Sequence, residues 1–155
     1  MGSSVEIKEG TLNRGAYKPG AGFAKISVHS KDLVESLMIA GVAPNKTGKE
    51  ELLKFRMSRH TWRGAIDGDG SMGWHKRGYF YIKLYGCKTF CEQFRQYVLT
   101  IVPNCRAKVQ KSKSIFSFGM CCGPAEAVAG ELYRNCNVYL DRKYDTVKCL
   151  LDSKQ

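Results

Sequence analysis

Two carboxylates one residue apart, Asp67 and Asp69, stand in the run Trp62-Arg63-Gly64-Ala65-Ile66-Asp67-Gly68-Asp69-Gly70-Ser71-Met72-Gly73. Apolar spacing before them predicts a helix from about Ser58 to Gly68, ended by glycine. The carboxyl end of a helix carries partial negative charge, so acids there are unfavourable. A bound cation offsets that cost, and carboxylates with backbone carbonyls are the donors Mg2+ or Ca2+ prefers. A plain glycine-rich turn is the competing reading. Gly64 and Gly68 are four residues apart and share a helix face. Each costs about 1 kcal/mol in a helix interior. Together they admit another backbone, which predicts a tight helix–helix contact ending where Asp69 emerges.

Other acid- and glycine-rich motifs do not fit. An EF-hand loop starting at Asp67 would have Ser71 fifth, Met72 sixth and Gly78 twelfth, where acids and a glycine are required. Gly68-x-Gly70 is a fragment of a dinucleotide fingerprint, but no strand leads into it and the acids would repel a pyrophosphate. No phosphate-binding GxxxxGK[ST] loop is present. His29, His60 and His75 fit surface or core roles better than metal ligation.

The surrounding charge points to an anionic partner. The 155 residues, enough for one domain with a real core, carry 25 Lys+Arg against 14 Asp+Glu, a net +11. Between Ser71 and Cys122 there are 9 bases and a single acid, Glu92. Such a segment suits nucleic acid. Seven cysteines without a CxxC pair suggest neither a zinc site nor a disulfide framework, and reduced thiols imply an intracellular, cytoplasmic protein. No apolar run approaches a membrane span, and no signal-peptide core is evident.

The elements that must position these residues follow from periodicity. Phe23 to Val28 alternates as a strand after a loop at Lys18-Pro19-Gly20-Ala21-Gly22. Ser30 caps a helix with Leu33, Val34, Leu37 and Met38 on one face, and Gly41 suits its C′ position. A strand at Ser71 to Lys76 turns around Arg77-Gly78 into Tyr79 to Tyr85. Thr89 and Glu92 form a capping box for a helix burying Phe90, Phe94, Tyr97, Val98 and Ile101 and stopping before Pro103. Arg106 to Gln110 is a strand with its hairpin turn near Ser112-Lys113, followed by a strand at Ile115 to Met120. Gly123-Pro124 opens a helix with Val128, Leu132 and Tyr133 on one face. A last helix fits Arg142 to Leu151. From Ser58 the order is α-β-β-α-β-β-α-α, an α+β fold. Residues 1–57 form an N-terminal strand/helix part and residues 58–155 the core.

Strand alternation separates two faces. Phe80, Ile82 and Leu84 point to the helices. Tyr79, Tyr81, Lys83 and Tyr85 point outward, with Arg106, Lys108 and Gln110 of the next strand. Ser71, Gly73, His75 and Arg77 share one face. Lys76, Lys111, Lys113 and Ser117 complete the candidate surface. Its cations suit phosphates, and Arg and Gln suit base edges in a major groove.

Arg63-Gly64-Ala65-Ile66-Asp67-Gly68-Asp69-Gly70-Ser71 resembles the DGDGS variant of the LAGLIDADG homing endonuclease motif. The order of elements after it is similar to that family's core, and Leu140-Asp141-Arg142-Lys143-Tyr144 looks like the segment opening its last helix. The resemblance covers residues 58–151. It implies an αββαββα core with a saddle-shaped antiparallel sheet and a double-strand DNA endonuclease of a mobile genetic element. Two motif helices pack together in such proteins. By this resemblance Asp69 is catalytic and binds Mg2+ (Mn2+ or Ca2+ substituting in binding), the Gly68 carbonyl assists, and Lys143 lies near the reacting water. A salt-bridge lysine is the alternative for Lys143. The family's polar residue after the second strand falls here on Gly86, a departure. Ile26 to Thr47 resembles the back half of a repeat, including the exit Gly41-Val42-Ala43-Pro44-Asn45-Lys46-Thr47. No second acidic helix is present, so the resemblance implies a homodimer or a second LAGLIDADG chain. A cleavage-deficient DNA-binding regulator, an RNA maturase and a generic interaction module are the alternatives.

Overall fold

Alternation and helical periodicity produce, in order, every core element expected after Ser58. The computed structural model describes residues 4–12, 21–42 and 51–153. The fold is mixed α+β, and the chain divides into two compact units, 1–38 and 39–155.

The first unit is a hairpin followed by a helix. Strand β1 (Ser4–Leu12) pairs antiparallel with β2 (Ala21–His29), from Ser4↔His29 to Leu12↔Ala21. Strand β1 lies outside the expected elements, although Val5 and Ile7 alternate with Glu6 and Lys8. Ala21 and Gly22, expected in a loop, belong to β2; Lys18, Pro19 and Gly20 lie outside the described residues. Ser30 does cap the helix, its Oγ accepting from Leu33 N at 3.3 Å. Helix α1 (Lys31–Ile39) buries none of its residues, so Leu33, Val34, Leu37 and Met38 form an exposed apolar face. Gly41 follows at φ +99°, as a C′ glycine requires. Residues 43–47 of the expected exit segment lie outside the described residues.

The second unit contains α2 (Arg59–Asp69), β3 (Ser71–Trp74), β4 (Phe80–Gly86), α3 (Lys88–Ile101), β5 (Gln110–Ser112), β6 (Ile115–Cys121), α4 (Gly123–Tyr133) and α5 (Asp141–Asp152). Its sheet is antiparallel in the order β3-β4-β6-β5. Helices α2, α3 and α4 pack on β4, and α3 and α4 also pack on β6. Trp62 and Ile66 of α2, Phe80, Ile82 and Leu84 of β4, Phe94 of α3, Phe118 of β6 and Leu132 of α4 are fully buried. Trp62 is central, with its ring centroid 5.0 Å from Phe94 and 5.3 Å from Phe90. Its Nε1 donates to Arg56 O at 2.6 Å. Burial pushes the nearby Tyr97 hydroxyl up to about 12.

Several boundaries differ from expectation for local reasons. The two compact units divide at 38/39, and residues just before α2 are bonded to α3. Leu52 N donates to Gln93 Oε1 at 2.9 Å, and Gln93 Nε2 donates to Leu52 O at 3.0 Å. The cap of α3 is Cys87 rather than the Thr89–Glu92 box, with Cys87 Sγ accepting from Phe90 N at 3.4 Å. Arg106 to Val109 is irregular, so β5 is only three residues long. There Ala107 O is taken by Arg95 Nε at 3.3 Å rather than by a strand partner. The β5–β6 turn falls on Lys113-Ser114, with Lys113 at φ +54°. Cys105, Cys121, Cys122, Cys136 and Cys149 are free thiols.

Trp62→Ala removes the side chain shared by α2 and α3. It should lower unfolding free energy by about 3–5 kcal/mol, measured as the urea midpoint. A loss below ~1 kcal/mol would show that the Trp62 cluster does not carry the core.

Candidate functional site

The end of α2 is built by three different groups. Gly70 N donates to Ala65 O at 3.2 Å and to Ile66 O at 3.1 Å, closing the last turn. Glycine is required there by space rather than by backbone angle: a Cβ would lie 2.6 Å from Ile66 Cα, at an ordinary φ of −82°. Lys143 of α5, only 2% exposed, reaches across. Its Nζ donates to the carbonyls of Ile66, of Asp67 (3.0 Å) and of Gly70 (2.8 Å). An ammonium has three donors, and all are used. The helix end therefore receives a protein cation, the offset that an acidic helix terminus calls for. Burial, and then the neighbouring Arg142, hold Lys143 below the usual lysine value, with Asp67 and Asp69 pulling the other way.

The two carboxylates have different tasks. Asp67 Oδ1 accepts from Tyr133 Oη at 2.5 Å, and Oδ2 accepts from Leu140 N at 3.2 Å. It thus ties α2 to α4 and to the segment entering α5. Burial and the Asp67 carboxylate raise the Tyr133 hydroxyl far above its usual range. Asp69 is exposed and makes no hydrogen bond or ion pair among the described residues. The Gly68 carbonyl is not among those Lys143 takes. A free carboxylate and a carbonyl suit a hard cation. Mg2+ characteristically keeps several waters and takes one or two carboxylates plus substrate phosphates. Among the described residues no three His, Cys, Asp or Glu cluster as a ready-made cage, so the remaining ligands of such an ion would come from water, substrate or a second chain.

A groove of about 400 Å³ runs beside Asp69, bordered by Thr61, Gly64, Ala65, Gly68 and Glu51. A Cβ at Gly64 or Gly68 would meet nothing within 4 Å, so the glycine face of α2 is open. Glu51 is a second acid beside this groove that no spacing in the sequence pointed to. At Gly86 a Cβ would lie 2.9 Å from Phe90 Cδ1, so a side chain there needs Phe90 to shift.

The outer face of the sheet gathers part of the expected surface. Register aligns Ser71 with Lys83, and Tyr81 with Cys121. Tyr85 and Gln110 both face Ser117. Ser71 Oγ lies 3.2 Å from Tyr81 Oη, and Lys83 Nζ lies 5.0 Å from the Tyr85 ring centroid. Lys83 Cγ would sit 3.0 Å from a Cβ on Gly119, so glycine there makes room for the lysine stem. Tyr81, Lys83, Lys108 and Gln110 border a depression of about 440 Å³. Ser117 also borders it but is itself buried. Lys111 pairs with Phe116 and so belongs to the opposite face from Gln110. Arg106 and Lys108 are exposed on irregular chain, and Lys113 in the β5–β6 turn. His75, Lys76 and Arg77 form the β3–β4 turn beyond Trp74. There His75 stacks on Tyr79 at 4.5 Å and accepts from Arg77 N at 3.3 Å.

Tyr133 was legible only as a core position; its bond to Asp67 was not.

The division between the acids is testable by unfolding. Tyr133→Phe should cost about 1.5–3 kcal/mol, the range for a hydrogen bond to a charged group. Lys143→Met should cost roughly 3 kcal/mol or more, since three carbonyls lose a buried donor. Asp69→Asn should leave stability unchanged or raise it by about 0.3–1 kcal/mol, because an acid at a helix end is removed. Destabilisation by Asp69→Asn equal to that of Tyr133→Phe would refute the division. No protein-family model, curated protein or solved structure matches this chain.

Proposed function

We propose that this chain is a LAGLIDADG-type, divalent-metal-dependent DNA endonuclease whose active site is completed by a second motif helix from another copy or another chain. The observation that carries the reading is the free Asp69 carboxylate at the end of a helix with an open glycine face. The Arg63–Ser71 resemblance and the agreement in element order support it. On this reading, two α2 helices meet along Gly64 and Gly68, bringing two Asp69 side chains to one spot. Divalent metal, when bound, neutralises phosphate charge and activates water. Asp69 holds it, while Lys143 and Gly70 fix the direction in which Asp69 leaves the helix. The sheet binds duplex DNA through Lys83 and the turn cations Lys76 and Arg77, with Gln110 and the tyrosines toward the bases. Lys143 acts as a positioning residue, since its donors are occupied by carbonyls.

A second reading, a DNA-binding regulator without cleavage, is favoured by one observation. Phe90 occupies the space where the family's polar residue would stand, beside Gly86. One set of assays separates the two. With Mg2+, the wild-type chain should cut duplex DNA from a randomised library at selected sites. Asp69→Asn should abolish cutting and leave binding intact. Cutting that persists in Asp69→Asn excludes the assignment. Specific binding without nicking at any enzyme excess selects the regulator. Lys83→Ala should weaken binding across sequences and reduce the slope of log affinity against log salt by about 1.

A further inference from the structure

Strand β6 ends on Cys121, and Cys122 follows it at the start of α4; both are exposed and free. In an extended strand neighbouring side chains point to opposite faces, which separates them. Cys122, however, has φ +57°, a left-handed conformation uncommon for a residue with a Cβ. It is held from both sides. Its N–H donates to Phe80 O at 2.8 Å, and its carbonyl accepts from Glu126 N at 3.0 Å. The positive φ at Cys122 breaks that alternation, so the two thiols are not sent to opposite faces. Cys121 pairs in register with Tyr81 and borders the depression on the sheet's outer face.

We propose that Cys121 and Cys122 form a chelating dithiol that takes up trivalent arsenic on the outer face of the sheet. Two competing fates of such a pair fit less well. A disulfide favours Cα atoms about 4.4–6.8 Å apart, whereas consecutive Cα atoms across a trans peptide are held at about 3.8 Å. Structural zinc takes four protein donors, and among the described residues no three His, Cys, Asp or Glu cluster. Trivalent arsenic bearing one organic substituent needs only two protein sulfurs. With an arsenoxide, two As–S bonds form, the As–O bond and two S–H bonds break, and both protons leave with the oxygen as water. No electron is transferred. The neighbouring Cys121 thiol, then desolvation and the nearby Glu126 carboxylate, push the Cys122 thiol up.

The test uses the full chain, phenylarsine oxide and an excess of glutathione, read by intact mass. The expected product is one arsenical per chain with loss of water, retained in glutathione and released by a small dithiol. Cys121→Ser and Cys122→Ser should each lose the retained adduct, and Cys87→Ser should keep it. In the wild-type chain, maleimide mapping should show Cys121 and Cys122 protected together, which covers the case of a variant that does not fold. Absence of a retained adduct, or protection of other cysteines in place of this pair, overturns the proposal. The readout involves no nucleic acid, so its outcome is independent of the nuclease reading.

Discussion

The Lys143 ammonium among the carbonyls at the end of α2 is the contact on which the rest of the site depends. A helix terminus with two acids and several unpaired carbonyls is electrostatically unfavourable. Lys143 answers this from α5, 73 to 77 residues away in the chain. The same contact holds α5 against the turn that enters β3. Gly70 permits the turn by letting the backbone fold directly onto Ile66. The direction of Asp69 is therefore fixed by residues from both ends of the core unit.

This arrangement separates two carboxylates of identical chemistry. Asp67 is consumed by Tyr133 and the Leu140 amide, and it fastens the helices. Asp69, two residues on, is left to solvent beside the open glycine face. The sheet makes a comparable separation by parity. Phe80, Ile82 and Leu84 build the core, while their neighbours Tyr81, Lys83 and Tyr85 stay on the outer side. Trp62 of α2 and Phe94 of α3 pack together in the core behind the sheet, so the acid and the cationic face are built on one core.

Much of this was legible in one dimension. The order of elements from Ser58, the end of α2 near Gly68, the inward set of β4 and the Ser30 cap follow from periodicity and short-range chemistry. The misplaced elements share a cause. Thr89 and Glu92 satisfy a capping pattern, yet the helix begins earlier, at Lys88, with Cys87 Sγ accepting from Phe90 N. Arg106 to Val109 alternates like a strand, yet it is irregular, and Arg95 takes the Ala107 carbonyl. Lys111 was grouped with Gln110 by charge, and the register with Phe116 puts it on the other face.

Sequence alone determined the elements of the core, the two faces of β4 and the candidacy of Asp67 and Asp69 as cation ligands. Those properties arise from side-chain spacing and local hydrogen bonding, which a linear chain displays. Tertiary structure alone decided that Asp67 is locked and Asp69 free, that Lys143 caps a helix, and that Cys122 takes a positive φ beside Cys121. Each of these rests on groups brought together by packing: Tyr133 from α4, Lys143 from α5 and the Phe80 carbonyl from β4. Spacing carries no record of such distant partners, because burial and register choose them only once the core has closed.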